Sequence, residues 1–340
     1  MKMDTEATGR KNPAIRRIRQ TRRQTQQKSQ FGFKSILVPI DFSETSIKAL
    51  DYAVAMAGEF GSQIYVVHIL EFPAVFNATS QPSYAIWDKE VKKAATDRLS
   101  GLIEEKVDEL ITVNSEVRFG RAYQGICKSA QARKADLIVI GTHGFTGLKH
   151  LFLGSTAERV VRHAPCSVLT ICTPHVRNVK SVVKPQNILV PTDFSKSADT
   201  ALKSAVALAK QYQAQLHLLY VVPVHYAVGE YDQIDYRLLE AEEMGIGQKK
   251  LATLSKALRA KKISVKTEIR RGRPATEIIQ VSEEIGSDLI AISTHGLTGW
   301  QHALLGSTAE EVVRHASCPV LVTRKNENAQ SRKGSKTGGQ

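Results

Sequence analysis

The sequence predicts two consecutive α/β domains, each a parallel sheet with helices on both faces. Three observations carry this. The chain contains a domain-sized internal repeat, short apolar runs alternate with segments of helical period, and the runs are rich in valine and isoleucine, as strands buried on both faces require. Ile36-Leu-Val-Pro-Ile-Asp-Phe-Ser43 returns as Ile188-Leu-Val-Pro-Thr-Asp-Phe-Ser195. Thr142-His-Gly-Phe-Thr-Gly147 returns as Thr294-His-Gly-Leu-Thr-Gly299, and Gly154-Ser-Thr-Ala-Glu158 as Gly306-Ser-Thr-Ala-Glu310. Every pair is offset by 152, so the copies align without a net gap. Between 141–171 and 293–323 about twenty of thirty-one positions are identical. Copies of ~140 residues are domains, not solenoid repeats.

In the first copy, Ile36 to Ile40 is a short apolar run that reads as a buried parallel strand. Ser43 suits the N-cap of a helix from Glu44 to Phe60, with Ile47, Leu50, Val54 and Ala57 at helical spacing. Ile64 to Leu70 is a second strand, a long helix lies within 83–110, and Val113 to Phe119 is a third strand. Residues 122–133 read as helix, Asp136 to Ile140 as the fourth strand, 155–163 as the fourth helix, and Val168 to Cys172 closes the unit. Ligands of such sheets bind outside the carboxyl ends of the strands, where the strand order reverses. The expected division is a basic tail over 1–33, one domain over 34–173, a linker over 174–185, a second domain over 186–325 and a basic tail over 326–340.

The chain of 340 residues is 42% hydrophobic and 24% charged, ordinary globular proportions that exclude a disordered, collagen-like or coiled-coil protein as its bulk. No apolar run approaches the ~20 residues of a membrane helix. The net charge of +14 looks like a nucleic-acid signal until it is located. Residues 1–34, 174–185 and 324–340 account for all of it, and the remainder is close to neutral. Residues 10–28 contain only Ala14, Ile15 and Ile18 as apolar residues and are expected to be disordered. They read either as a basic arm for RNA, DNA or acidic lipid or as a solvated extension.

Chemistry concentrates where Gly141 and Gly144 follow the fourth strand and Gly154-Ser155 precedes the fourth helix, in the spacing G-x2-G-x9-G-S. A glycine at a strand end lets backbone approach a ligand or take positive φ. Gly154, Ser155 and Thr156 put amides and hydroxyls at a helix N-terminus, where a phosphate chain fits. Ser155-Thr-Ala-Glu158 reads equally as a capping box that needs no ligand. Asp41, at the end of the first strand, reads as a site carboxylate or as an Asx-turn residue.

A first strand ending in Val-Pro-x-Asp-Phe-Ser, followed later by G-x2-G-x9-G-S, resembles the universal stress protein family in its ATP-binding branch. The resemblance covers both copies. It implies five-stranded parallel sheets in the order 3-2-1-4-5, and domains that pair through their last strands, here within one chain or in a homodimer. It also implies ATP with Mg2+ as the bound cofactor. By the same resemblance Asp41 would meet the nucleoside end, Pro39 and Ile40 would shape the pocket, and Ile69 would line the adenine. Gly141, Gly144, Gly154, Ser155 and Thr156 would hold ribose and phosphates. In the second copy Asp193, Val221, Gly296, Gly306, Ser307 and Thr308 match, but Ser293 replaces the first glycine. Its Cβ is expected to crowd the ligand or forbid the needed φ.

His143/His295, His150/His302 and His163/His315 recur at equivalent positions without metal-ligand spacing. Cys127, Cys166, Cys172 and Cys318 form no CxxC pair and read as reduced, mostly core thiols. No GxxxxGK[ST], no GxGxxG after a first strand and no GxSxG is present. The expectation is a cytoplasmic, ATP-binding stress-response factor, at most a slow ATPase because no lysine clamp or water-positioning group stands at recognisable spacing. The rival is an ATP-independent interaction scaffold that recruits nucleic acid or acidic partners through its tails.

Overall fold

The structure, a computed structural model, describes residues 32–71, 82–142, 153–172, 184–224, 236–294 and 305–324. Most of both tails and of the 174–185 linker lies outside these residues, as do Gly144, Gly296, His143, His150, His295 and His302. In the first half, β1 (Ser35–Pro39), α1 (Glu44–Phe60), β2 (Gln63–Leu70), α2 (Pro82–Lys106) and β3 (Val113–Phe119) come in turn. They are followed by α3 (Ala122–Ala132), β4 (Leu137–Gly141), α4 (Ser155–His163) and β5 (Ser167–Ile171). The second half repeats the order with β6 (Asn187–Pro191), α5 (Ala198–Tyr212), β7 (Gln215–Val222), α6 (Tyr236–Ala260) and β8 (Val265–Arg271), then α7 (Pro274–Glu284), β9 (Leu289–Ser293), α8 (Ser307–His315) and β10 (Val320–Thr323).

Strands alternate their side chains between two apolar layers, as a period of two demands. Ile36, Val38, Leu137 and Val139 face a layer built with α1 and α2, which supply Leu50, Tyr52 and Leu99. Leu37, Ile138 and Ile140 face the other, with Ile126 of α3 and Val160 and Val161 of α4. Each layer continues through the second half. Helix boundaries follow local chemistry. The Ser43 side chain accepts from the Ser46 amide and caps α1, and Gly61 ends it at φ 68° with its N–H donating to Ala57 O at 2.8 Å.

Within each half the strands are parallel and lie in the order 3-2-1-4-5. The two five-stranded units pair through their last strands within the one chain, so the sheet is one of ten strands rather than two of five. Antiparallel pairing of β5 with β10, with Leu169 opposite Leu321, joins them into one ten-stranded sheet, β3-β2-β1-β4-β5-β10-β9-β6-β7-β8. The last strands are apolar and would otherwise be open edges, so each serves as the other's partner.

Over this seam α4 and α8 exchange charges. Arg162 pairs with Glu158 and with Glu310, both at 3.1 Å, and Arg314 pairs with Glu310 at 3.1 Å and Glu158 at 3.7 Å. Arg324, just past β10, donates to Val161 O at 2.9 Å and to Arg162 O at the carboxyl end of α4, where a cation suits the helix dipole. Among the described residues no helix is long and apolar enough to cross a membrane.

Candidate functional site

Strand order reverses at β1, which has β2 on one side and β4 on the other, and a cavity of about 340 Å3 opens at the carboxyl ends of these strands. That lies in the ~300–1,000 Å3 range of small-ligand pockets. Pro39, Ile40, Asp41, Ile69, Gly141, Gly154, Ser155 and Thr156 all line it, so eight of the nine candidates from the first copy are brought together. The ninth, Gly144, lies outside the described residues. The equivalent cavity of the second half, about 370 Å3, is lined by Asp193, Val221, Gly306, Ser307 and Thr308, with Ser293 also in its wall.

One wall is apolar, formed by Ile40, Val67, Ile69, Ile126 and Ile140. Opposite in character is the start of α4. Gly154, not Ser155, is the N-cap, and no side chain caps the helix, so the capping-box reading of Ser155 and Glu158 fails. The reason is register: with glycine at the cap, Ser155 and Glu158 each fall one position too late for the box, and Glu158 pairs instead with Arg162 and Arg314. Gly154 N–H donates to Thr142 O at 2.7 Å, which ties the cap to the end of β4. The amides of Ser155, Thr156 and Ala157 begin the helix with no intrahelical acceptor, at the positive end of its dipole. Domain two repeats this with Gly306 as N-cap and its N–H on Thr294 O at 2.8 Å.

Asp41 stands between these walls. Its Oδ1 accepts from the Ser43 amide at 3.0 Å and from the Ser43 hydroxyl, an Asx-turn that aims the carboxyl group at the rim. Asp193 repeats this on the Ser195 amide at 2.9 Å. The next residue in each copy, Phe42 and Phe194, has φ of 63° and 62°, a conformation that side-chain-bearing residues seldom adopt. Stacking holds it. Phe42 lies 4.9 Å from the His68 ring, whose Nδ1–H donates to Ile40 O at 2.7 Å, and Arg98 sits over the Phe42 ring at 4.0 Å. Phe194 has Tyr220 at 4.9 Å and Lys250 at 5.0 Å. Burial, and then the carboxylates of Glu243 and Asp193, hold the Tyr220 phenol above its ordinary range, so it stays protonated.

Gly141 is also constrained by packing within the protein. It is not among the described positive-φ residues. A Cβ there would lie 2.9 Å from the backbone carbon and Cβ of Thr45 in the first turn of α1, so the helix by itself leaves no room for a side chain. In the second copy, where Ser293 stands in place of this glycine, α5 starts at Ala198 rather than at the equivalent of Glu44, and 196–197 form a turn. The second cavity forms with Ser293 in its wall.

Sequence reasoning missed the rim. Glu71 Oε1 accepts the Ala122 amide at 2.7 Å and so caps α3, and both residues line the cavity. In the second copy Pro223 and Pro274 stand in their places, and Pro274 at the start of α7 has no N–H to satisfy. Ile69 and Gly125 form another matched pair, since a Cβ on Gly125 would meet Ile69 Cδ1 at 2.6 Å, whereas the second copy has Val221 with Glu277. Comparing the copies residue by residue at the offset of 152 would have exposed both exchanges.

The pattern of the universal stress protein family matches residues 32–171 and again 185–324. This chain belongs to the universal stress protein family. A universal stress protein of Methanocaldococcus jannaschii is 36% identical over 150 residues, spanning 44% of this chain and 87% of the relative. A family relative from Staphylococcus epidermidis is 34% identical over 148 residues, 42% of this chain and 86% of its own. Among solved structures, a universal stress protein from Archaeoglobus fulgidus superposes with a TM-score of 0.61 at 24% identity, covering 85% of this chain and 98% of its own, a likeness of fold. The relatives quoted at 34–36% identity match one copy's length of this tandem universal stress protein.

Proposed function

We propose that this universal stress protein binds ATP in both domains and acts as a nucleotide-responsive stress-response factor. One observation carries the reading: a single cavity joins an apolar wall to a helix N-terminus that no side chain caps. A nucleoside triphosphate has the same two ends. Its base would lie along Ile40, Val67 and Ile69, its ribose near Asp41, and its phosphates over Gly141, Gly144, Gly154, Ser155 and Thr156. In the second domain Val221, Asp193, Gly296, Gly306, Ser307 and Thr308 would take these parts. The described lining of both cavities holds no lysine or arginine, so Mg2+ would share the phosphate charge with the helix dipole. Without such a clamp, hydrolysis would be slow.

Acid precipitation of the purified protein followed by mass spectrometry of the supernatant, with calorimetric titration of ATP and Mg2+, tests the reading. Two nucleotides per chain are expected. Ser155→Glu and Ser307→Glu, both at exposed first positions of their helices, should each remove one by placing a carboxylate where phosphate would sit. No released nucleotide and no binding heat would refute it and leave an ATP-independent scaffold.

A further inference from the structure

We propose that Glu71 reads the base in the first domain's site, and that the second domain's site has no such reader. This rests on the nucleotide reading above. The two ends of the cavity differ in chemistry, so a nucleotide has one way to lie in it, with phosphates at the start of α4 and base along the end of β2. Ile69 and Glu71 are two residues apart at that end, and both line the cavity.

The Glu71 carboxyl group is held by one oxygen only. Oε1 accepts the Ala122 amide at 2.7 Å, and Oε2 has no partner among the described residues. A carboxylate pinned in this way is a preorganised acceptor at the rim, and it favours a base that presents an amino group there over one that does not. Adenine carries an exocyclic amine; unsubstituted purine carries none.

The second domain shows that this carboxylate is not needed to build the fold. Pro274 begins α7 without an N–H, and Pro223 has no side-chain oxygen to cap one. The two exchanges compensate each other structurally, and together they take the acid out of the base end. The described lining of that cavity then retains Asp193 as its one carboxylate. The second site is therefore indifferent to the amine.

The test compares ATP with purine riboside 5′-triphosphate, which differs only in lacking the 6-amino group, by calorimetry in a Ser307→Glu background that silences the second site. Because a hydrogen bond to a charged group at a partly exposed rim is worth about tenfold in affinity, ATP should bind about tenfold tighter than the analogue. Two variants should bring that ratio near one, with ATP the triphosphate whose affinity falls more. Glu71→Gln keeps an oxygen for Ala122 but turns an NH2 toward the base. Glu71→Ala with Ala122→Pro copies the second domain and leaves no amide uncapped, so a folding defect is not the readout. The reciprocal background, Ser155→Glu, should show no preference. An ATP preference that persists in both Glu71 variants would overturn the inference while leaving the nucleotide reading intact. Failure of the parent protein to bind either triphosphate would overturn both.

Discussion

Replacing Gly141 by alanine separates two explanations of a glycine in a binding motif. A methyl group at this position would stand 2.9 Å from the carbonyl carbon and Cβ of Thr45 and 3.0 Å from its oxygen, all in the first turn of α1. Two of the three nearest atoms are backbone, so the helix start itself must shift. Overpacking of this kind costs about 1–3 kcal/mol. Losing glycine's extra freedom in the unfolded chain offsets about 0.5–1 kcal/mol of that. A net loss of about 1–2 kcal/mol lowers the melting temperature of a protein this large by roughly 1.5–3 °C. Differential scanning calorimetry of Gly141→Ala, paired with ATP titration, is the assay. The converse change, Ser293→Gly, should bring no gain and a small loss, because α5 starts only at Ala198. An unchanged melting temperature with abolished ATP binding would refute the packing argument and assign the glycine to the ligand. An unchanged result in both assays would show that the start of α1 yields freely.

Two further outcomes follow from buried groups. The Tyr52 hydroxyl is fully buried with no hydrogen-bond partner among the described residues, so Tyr52→Phe should be neutral or stabilising by up to about 1 kcal/mol in urea unfolding, and a clear loss would refute the assignment. Burial pushes the Cys166 and Cys318 thiols up to about 12 and those of Cys127 and Cys172 up to about 11. Their folded values lie above the unfolded reference of 9.0, so the unfolded chain releases these protons first. Their contribution to stability is complete below about pH 9 and falls as pH rises through 9–12. The slope of stability between pH 8.5 and 10.5 should therefore flatten in Cys166→Ala, and a parallel curve would count against it.

Element order was legible because its causes are local. Alternating apolar runs, helical spacing and a capping serine at residue 43 each sit within a few residues of what they cause, and the repeat supplied every signal twice. The site was legible in part. Asp41, Gly154 and Ser155 stand in a motif whose spacing brings them to one cavity. Glu71 was invisible, because its task is to satisfy an amide that lies 51 positions further along the chain.

What the sequence by itself determined is the repeated α/β unit and the residues at the ends of its first and fourth strands. The tertiary structure alone decided how those units and residues are used. Pairing of β5 with β10 across the two copies made one sheet of two. The hydrogen bond of Gly154 N–H to Thr142 O ties a residue without a side chain in as the cap, so the amides of α4 stay open, and the approach of Thr45 leaves no room for a Cβ at 141. The physical reason is common to all three: each outcome depends on a group distant in sequence, and only the folded sheet brings that group within bonding or contact distance.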